Sequence, residues 1–329
     1  MNKDRKMLVR FGKGLLLVAA ILVASLMTMP AASCHAAEGK IHIVATTYPV
    51  YLFTLAVTKD RPDVSVDLLV PAQTGCPHEY ALTPKDMKKL STANAVVING
   101  LGLEDFMDKV LHGTESPFTV VDSSAAIQPL ASGEEEEDAD AHEAGHAEHE
   151  HHHHHHGGVN PHAFSSPRQA AAMVRSIAQE LGKLDAKNAK AYRQSAEEYA
   201  VRLESLADRF AALGAKAKNK KVVLLHDAAA YLVRDAGLEL AAVIQEEESV
   251  QPSAARMLEL TNSLKHERPA VLAAEPQYSD KPVRMLAAEV GVPAISLDPV
   301  ASGPSSAGAD YYEKVMLANC KELEKYLGK

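Results

Sequence analysis

Residues 192–214 read YRQSAEEYAVRLESLADRFAALG. Tyr192, Ala196, Tyr199, Leu203, Leu206, Phe210 and Leu213 step through it by four and three in alternation, which makes one apolar stripe along about six turns of helix. Asp185 is the expected cap, and Gly214 followed by a lysine-rich stretch is the expected end. Such a helix is either the core of one domain or a stiff strut joining two lobes.

The flanks on both sides carry the same strand–helix rhythm. Before it, residues 41–48, 64–70, 95–99 and 118–121 read as buried strands, with helical stretches near 49–60, 84–92 and 103–112. Thr83-Pro84-Lys85-Asp86 is a strong helix start, with Thr as cap and Pro in the first turn. After it, residues 221–225, 240–244, 270–274 and 294–297 are short apolar runs alternating with helical segments. Alternation of this kind predicts an α/β chain with mainly parallel sheets flanked by helices.

A chain of 329 residues with 47% hydrophobic content has room for two domains with real cores. The formal net charge is −9, and residues 134–158 carry nine acids with no Lys or Arg, so the rest of the chain nets to zero. No basic patch marks a nucleic-acid partner. At the N-terminus, Lys3, Arg5, Lys6, Arg10 and Lys13 precede an apolar run at 15–29 and Pro30-Ala31-Ala32-Ser33-Cys34. Residues 1–37 therefore read as an export signal, with an uncleaved membrane anchor as the alternative. Cys34 after small residues resembles a bacterial lipoprotein box. That box favours Leu where this chain has Ala31, so lipid tethering and full release both stay open. Export permits disulfides, but Cys76 and Cys320 alone do not imply one.

Nine of the sixteen histidines crowd one acidic tract: His142, His146, His149, His151, His152, His153, His154, His155 and His156. A segment with nothing to bury cannot offset its ordering entropy and reads as a solvated loop. Imidazole and carboxylate attract borderline divalent cations, zinc above all, so the tract reads as a low-affinity metal loop. The alternative is a solubilising linker. Six histidines in a row suggest an added tag at a chain end, but these are internal. His142-Glu143-Ala144-Gly145-His146 matches a metalloprotease pattern only formally, because that motif needs an ordered helix.

Outside the tract, His35 sits at the processing site, His42 lies inside a strand, and His112 and His266 read as solvated helix ends. His78, His162 and His226 share another context. His78 follows the second strand, His162 follows the mobile tract, and His226 ends an apolar run. In open α/β sheets, ligands bind beyond the carboxyl ends of strands. Asp298 occupies a matching place after residues 294–297. Three imidazoles and a carboxylate suit tetrahedral Zn²⁺.

Gly75-Cys76-Pro77-His78-Glu79-Tyr80, Asn160-Pro161-His162, Leu225-His226-Asp227-Ala228, Glu275-Pro276-Gln277-Tyr278-Ser279 and Leu297-Asp298-Pro299 occur in the order and spacing of a known family. Over residues 40–329 the chain resembles the periplasmic metal-binding receptors of zinc and manganese ABC importers. The resemblance implies two α/β lobes joined by one long helix, with the metal held between them. It divides the chain into a signal at 1–37, an N-terminal lobe at 38–184, a linking helix at 185–217 and a C-terminal lobe at 218–329. The implied ligands are His78, His162 and His226, with Asp298 at the variable fourth position and Glu79 or water as its alternatives. Manganese-type members place a carboxylate where this chain has His226, and three imidazoles themselves favour zinc. Many zinc-type members clip the C-terminal helix with a disulfide. Cys320 resembles one partner, but 271–273 offers no second, so no such bond is expected. Cys76, unusual beside the first ligand, could bind zinc as a thiolate, but is expected to pack as a small residue.

The expected function is capture of Zn²⁺ as cargo by a monomer and its delivery to permease and ATPase subunits, without catalysis. The chain has no GxxxxGK[ST] loop with which to power import itself. A three-histidine zinc hydrolase, with Glu79 as base, is the first rival. A zinc buffer or surface adhesin without a transport partner is the second.

Overall fold

The computed structural model describes residues 40–78, 80–111, 113, 117–131, 158–245 and 251–328. The expectations for residues 1–37 with Cys34, for Glu79, and for the tract with its nine histidines lie outside the described residues.

The first sheet is built from β1 (Ile41–Ala45), β2 (Val64–Leu68), β3 (Ala95–Ile98) and β4 (Thr119–Asp122), all parallel, in the order β2-β1-β3-β4. Helices α1 (Tyr48–Val57), α2 (Pro84–Leu90) and α3 (Asp108–Leu111) lie in the connections. Ile43, Val44 and Ala45 of β1 and Ala95, Val96 and Val97 of β3 are wholly buried. A central parallel strand covered on both faces reads as an unbroken apolar run, which is why these strands show no alternation. The strand expected over 41–48 stops at Ala45 because Pro49 sits in the first turn of α1, with Thr47 as its N-cap. Thr83 caps α2 as anticipated. Its hydroxyl accepts from the Asp86 amide while the Asp86 carboxylate accepts from the Thr83 amide, a reciprocal capping box.

A two-stranded antiparallel ribbon, β5 (Leu130–Ala131) with β6 (Val159–Asn160), follows the first sheet. The chain then forms α4 (Pro167–Leu184) and α5 (Ala189–Lys216), the second being 28 residues long and leading directly into the second sheet. All seven residues of the α5 stripe are buried. Each large member contributes roughly 1.5–3 kcal/mol by leaving water. Arg175 on α4 clamps Glu197 at 2.9 Å and Glu204 at 2.6 Å on α5, tying the two helices at their surface.

Two local expectations for this helix are corrected. Asp185 does not cap it. It closes α4 instead, and its carboxylate accepts from the Tyr192 hydroxyl at 2.6 Å and the Asn188 amide at 2.8 Å in the turn between the helices. Gly214 does not end it, since α5 runs on to Lys216. A Cβ there would lie 1.9 Å from the Ala236 carbonyl oxygen, so this glycine lets another backbone come close.

The second sheet comprises β7 (Lys221–Leu224), β8 (Glu239–Val243), β9 (Val271–Ala274) and β10 (Ala294–Ser296), parallel, in the order β10-β9-β7-β8. Helices α6 (Ala230–Asp235), α7 (Ala254–Glu267) and α8 (Lys281–Val290) connect them, and α9 (Tyr311–Leu327) ends the fold. The two sheets have one topology. In each, the second strand is added on one side of the first, and the third and fourth on the other. Each therefore has a switch point, between β1 and β3 and between β7 and β9, where the carboxyl ends open a crevice.

The described residues from Ile41 onward form one compact unit. Buried residues of α1, α4, α5, α9 and both sheets merge into one core, with smaller clusters under α2 and under α7 and α8. The halves are also stitched by hydrogen bonds. The Tyr48 hydroxyl donates to the Pro304 carbonyl at 3.0 Å, and the Gly303 amide to the Ala72 carbonyl at 2.9 Å. Among the described residues no helix is long and apolar enough to cross a membrane.

Candidate metal centre

His162 and His226 stand just past strands, and His78 lies ten residues beyond the end of β2. His226 follows β7 by two residues, in extended backbone, because the Leu225 amide still bonds the Ala273 carbonyl of β9. His162 follows β6 across Pro161 and is 3% exposed. His78 lies in the loop that leaves β2, which returns to the sheet through the capped start of α2.

The structure brings these three together. His78 Nε2 is 3.4 Å from His162 Nε2, with the rings edge to face at a centroid distance of 5.5 Å. His162 and His226 stack with centroids 6.2 Å apart, 29° from parallel. Cys76 packs against the core, as expected, and also directs Sγ at His162 Nε2 from 3.1 Å. The donor atoms of Cys76, His78 and His162 all lie within 4.8 Å of one another.

Behind this set stands a layer of acceptors. His162 Nδ1 is 3.1 Å from Asn160 Oδ1 and 3.4 Å from Asp227 Oδ1, and neither oxygen can donate. The ring proton therefore belongs on Nδ1, which turns the Nε2 lone pair toward His78 and Cys76. Asn160 is itself fixed, since its amide donates to the Asp227 carboxylate at 2.8 Å and the Tyr231 hydroxyl donates to its carbonyl at 2.9 Å. His226 repeats the pattern, with Nδ1 3.2 Å from Glu275 Oε1 and Tyr278 edge-on at 5.4 Å. Burial, and then the neighbouring His162, push His226 down to about 4, so it is a neutral imidazole at neutral pH. Burial alone would raise Asp227, but the hydrogen bond and charge of His162, followed by His226 and His78, hold it below the usual carboxylate range.

Asp298 is placed differently. Its Oδ1 accepts from Gln277 Nε2 at 2.7 Å and from the Val300 amide at 2.8 Å, and it lies outside the Cys76–His78–His162 cluster. Burial raises it despite those two bonds. Neither Cys76 nor Cys320 is disulfide-bonded.

Asp227 and Glu275 lie in motifs that carry the resemblance, but the sequence assigned them no role. Glu275 had a further readable signal, because it follows the apolar run of β9 directly, as His226 follows that of β7.

Two parallel sheets of one topology, with imidazoles gathered where their carboxyl ends meet, define a class: the two-lobed solute-binding proteins with a metal-ligating cleft. The family described as ZnuA, zinc-uptake complex component A, periplasmic, matches residues 43–326, and the chain belongs to it. It is 32% identical to the zinc-binding lipoprotein AdcA of Streptococcus pneumoniae over 314 residues, covering 93% of this chain and 60% of that protein. It is 31% identical to the high-affinity zinc uptake system protein ZnuA of Bacillus subtilis, covering 84% of this chain and 85% of that one. The chain thus spans about 60% of the length of its streptococcal relative. Among solved structures, the solute-binding protein FpvC of Pseudomonas aeruginosa in complex with Mn²⁺ superposes with a TM-score of 0.71 at 29% identity, covering 88% of this chain and 98% of that chain.

Proposed function

We propose that the protein captures Zn²⁺ outside the cytoplasm and hands it, as a monomer, to the permease and ATPase subunits of a zinc importer. His78, His162 and His226 are the ligands in this reading. The observation that carries it is the convergence of three imidazoles from distant parts of the chain, two of them with Nδ1 held by an acceptor. A tetrahedral zinc with nitrogen bonds of ~2.05 Å separates neighbouring ligand atoms by about 3.4 Å. The 3.4 Å between His78 and His162 matches that edge.

Cargo must be released as well as held, and the continuous core beneath both sheets favours small lobe motions over wide closure. The acidic, His-rich tract would hold zinc weakly and raise its concentration near the cleft. Asp298 is the expected fourth ligand; its Oδ1 accepts from Gln277 and Val300, bonds that orient the carboxylate and leave Oδ2 as its donor.

Isothermal titration tests the reading. His78→Ala, His162→Ala and His226→Ala each lose the tight site, whereas deletion of residues 134–157 leaves one tight site and removes weak binding. Unchanged tight binding in all three single variants refutes it. A hydrolase would need a free general base beside an open position. Asp227 and Glu275 instead face ring nitrogens of His162 and His226, which supports capture over catalysis. Zinc-dependent turnover of a generic ester would reverse that choice.

A further inference from the structure

We propose that Cys76 is the fourth zinc ligand, so that the site is one thiolate and three imidazoles and the thiolate sets selectivity. The proposal rests on the capture reading and deepens it. Two observations carry it. First, the donor atoms of Cys76, His78 and His162 are mutually within 4.8 Å, a group that none of the described carboxylates joins and that His226 borders through its ring, stacked 6.2 Å from that of His162. Second, Sγ is aimed at the ring nitrogen of His162 that the Asn160–Asp227 pair leaves with its lone pair.

The loop is shaped for this. Gly75 adopts φ +81°, and a Cβ there would lie 3.4 Å from the Tyr278 hydroxyl, so the chain turns tightly against the second sheet before Cys76. Pro77 then stiffens the link to His78. Two donors two residues apart on one short loop can close on one ion. With a zinc–sulfur bond of ~2.3 Å, a tetrahedral site needs about 3.6 Å between sulfur and nitrogen. The observed 3.1 Å opens to that value with a shift of about half an ångström in the loop. On binding, the Cys76 S–H bond breaks, the sulfur pair goes to zinc, and the proton leaves to solvent. A soft thiolate favours zinc over manganese, which prefers oxygen donors.

The test is titration of the full chain with one equivalent of cobalt(II), read by absorption. The expected result is a set of tetrahedral ligand-field bands together with a near-ultraviolet sulfur-to-cobalt charge-transfer band, the latter lost in Cys76→Ala and Cys76→Ser. Zinc should protect Cys76 from iodoacetamide. Cys76→Ala should weaken zinc by at least about ten-fold, the scale on which even outer-shell partners act, and narrow the preference over manganese. Ligand-field bands without the charge-transfer band overturn the thiolate while leaving the imidazole site standing. No cobalt absorption at all overturns both. Unchanged zinc affinity and manganese discrimination in Cys76→Ala also reject it.

Discussion

His226 Nδ1 lies 3.2 Å from Glu275 Oε1, with both side chains only 5% exposed. The two residues stand just past β7 and β9, the strands that flank the switch point of the second sheet. The topology therefore delivers the ligand and the group that orients it as neighbours, although 49 residues separate them in the chain. A carboxylate accepting from Nδ1 fixes the tautomer, raises the basicity of Nε2 and prevents ring flips.

Glu275→Gln should consequently weaken zinc binding by about 10–100-fold with the fold intact, because an amide oxygen accepts less strongly and its NH₂ offers the wrong partner. Competition against a chromogenic chelator measures the affinity, and far-ultraviolet circular dichroism checks the fold. Equal affinity in the variant would show that the Glu275 contact is structural only.

The central strands and the α5 stripe were legible in the sequence because burial on both faces of a sheet imposes an unbroken apolar run, and burial along one side of a helix a 3.6-residue step. His78 and His226 were legible because they follow apolar runs, and His162 because it follows the His-rich tract in Asn160-Pro161-His162. What escaped was set by tertiary proximity. Asp185 looks like a cap, yet the Tyr192 hydroxyl and Asn188 amide bring it into the turn between α4 and α5. Cys76 sits two residues before His78, a spacing open to packing or ligation alike, and only the approach of His162 separates the two.

Gly214 makes a second prediction from the same kind of proximity. The Ala236 carbonyl passes so close to α5 that any side chain at 214 must push the helix away from α6. Gly214→Ala gains helix propensity locally, worth about 0.8–1 kcal/mol. Overpacking against rigid backbone costs about 1–3 kcal/mol, and more where nothing can yield. The net expectation is a lower melting temperature with zinc stoichiometry unchanged. A variant as stable as the parent would mean that the two backbones separate freely.

Glu104 supplies the pH prediction. It is 4% exposed at the first sheet's switch point, accepting from the Thr46 hydroxyl at 2.6 Å and from the amides of Asn99 at 2.6 Å and Gly100 at 3.0 Å. Burial pushes it from 4.5 up to about 7 against those bonds. Between these values the folded chain keeps the proton that the unfolded chain has lost, so this contribution is complete below pH 4.5 and disappears as pH rises through 7. The rise corresponds to about 3 kcal/mol. His226, lowered from 6.5 to about 4, acts in the opposite direction, since stability from its neutral form grows between those values and is lost as pH falls through 4. The two largely mask each other in the parent. In Glu104→Gln the histidine trend is no longer opposed by Glu104. The variant should carry a constant penalty for its lost acceptor and gain about 3 kcal/mol relative to the parent between pH 4.5 and pH 7.5. Urea denaturation of the metal-free proteins across that range measures the difference. If it stays constant with pH, Glu104 is ionised in the folded state throughout, and its three donors outweigh its burial.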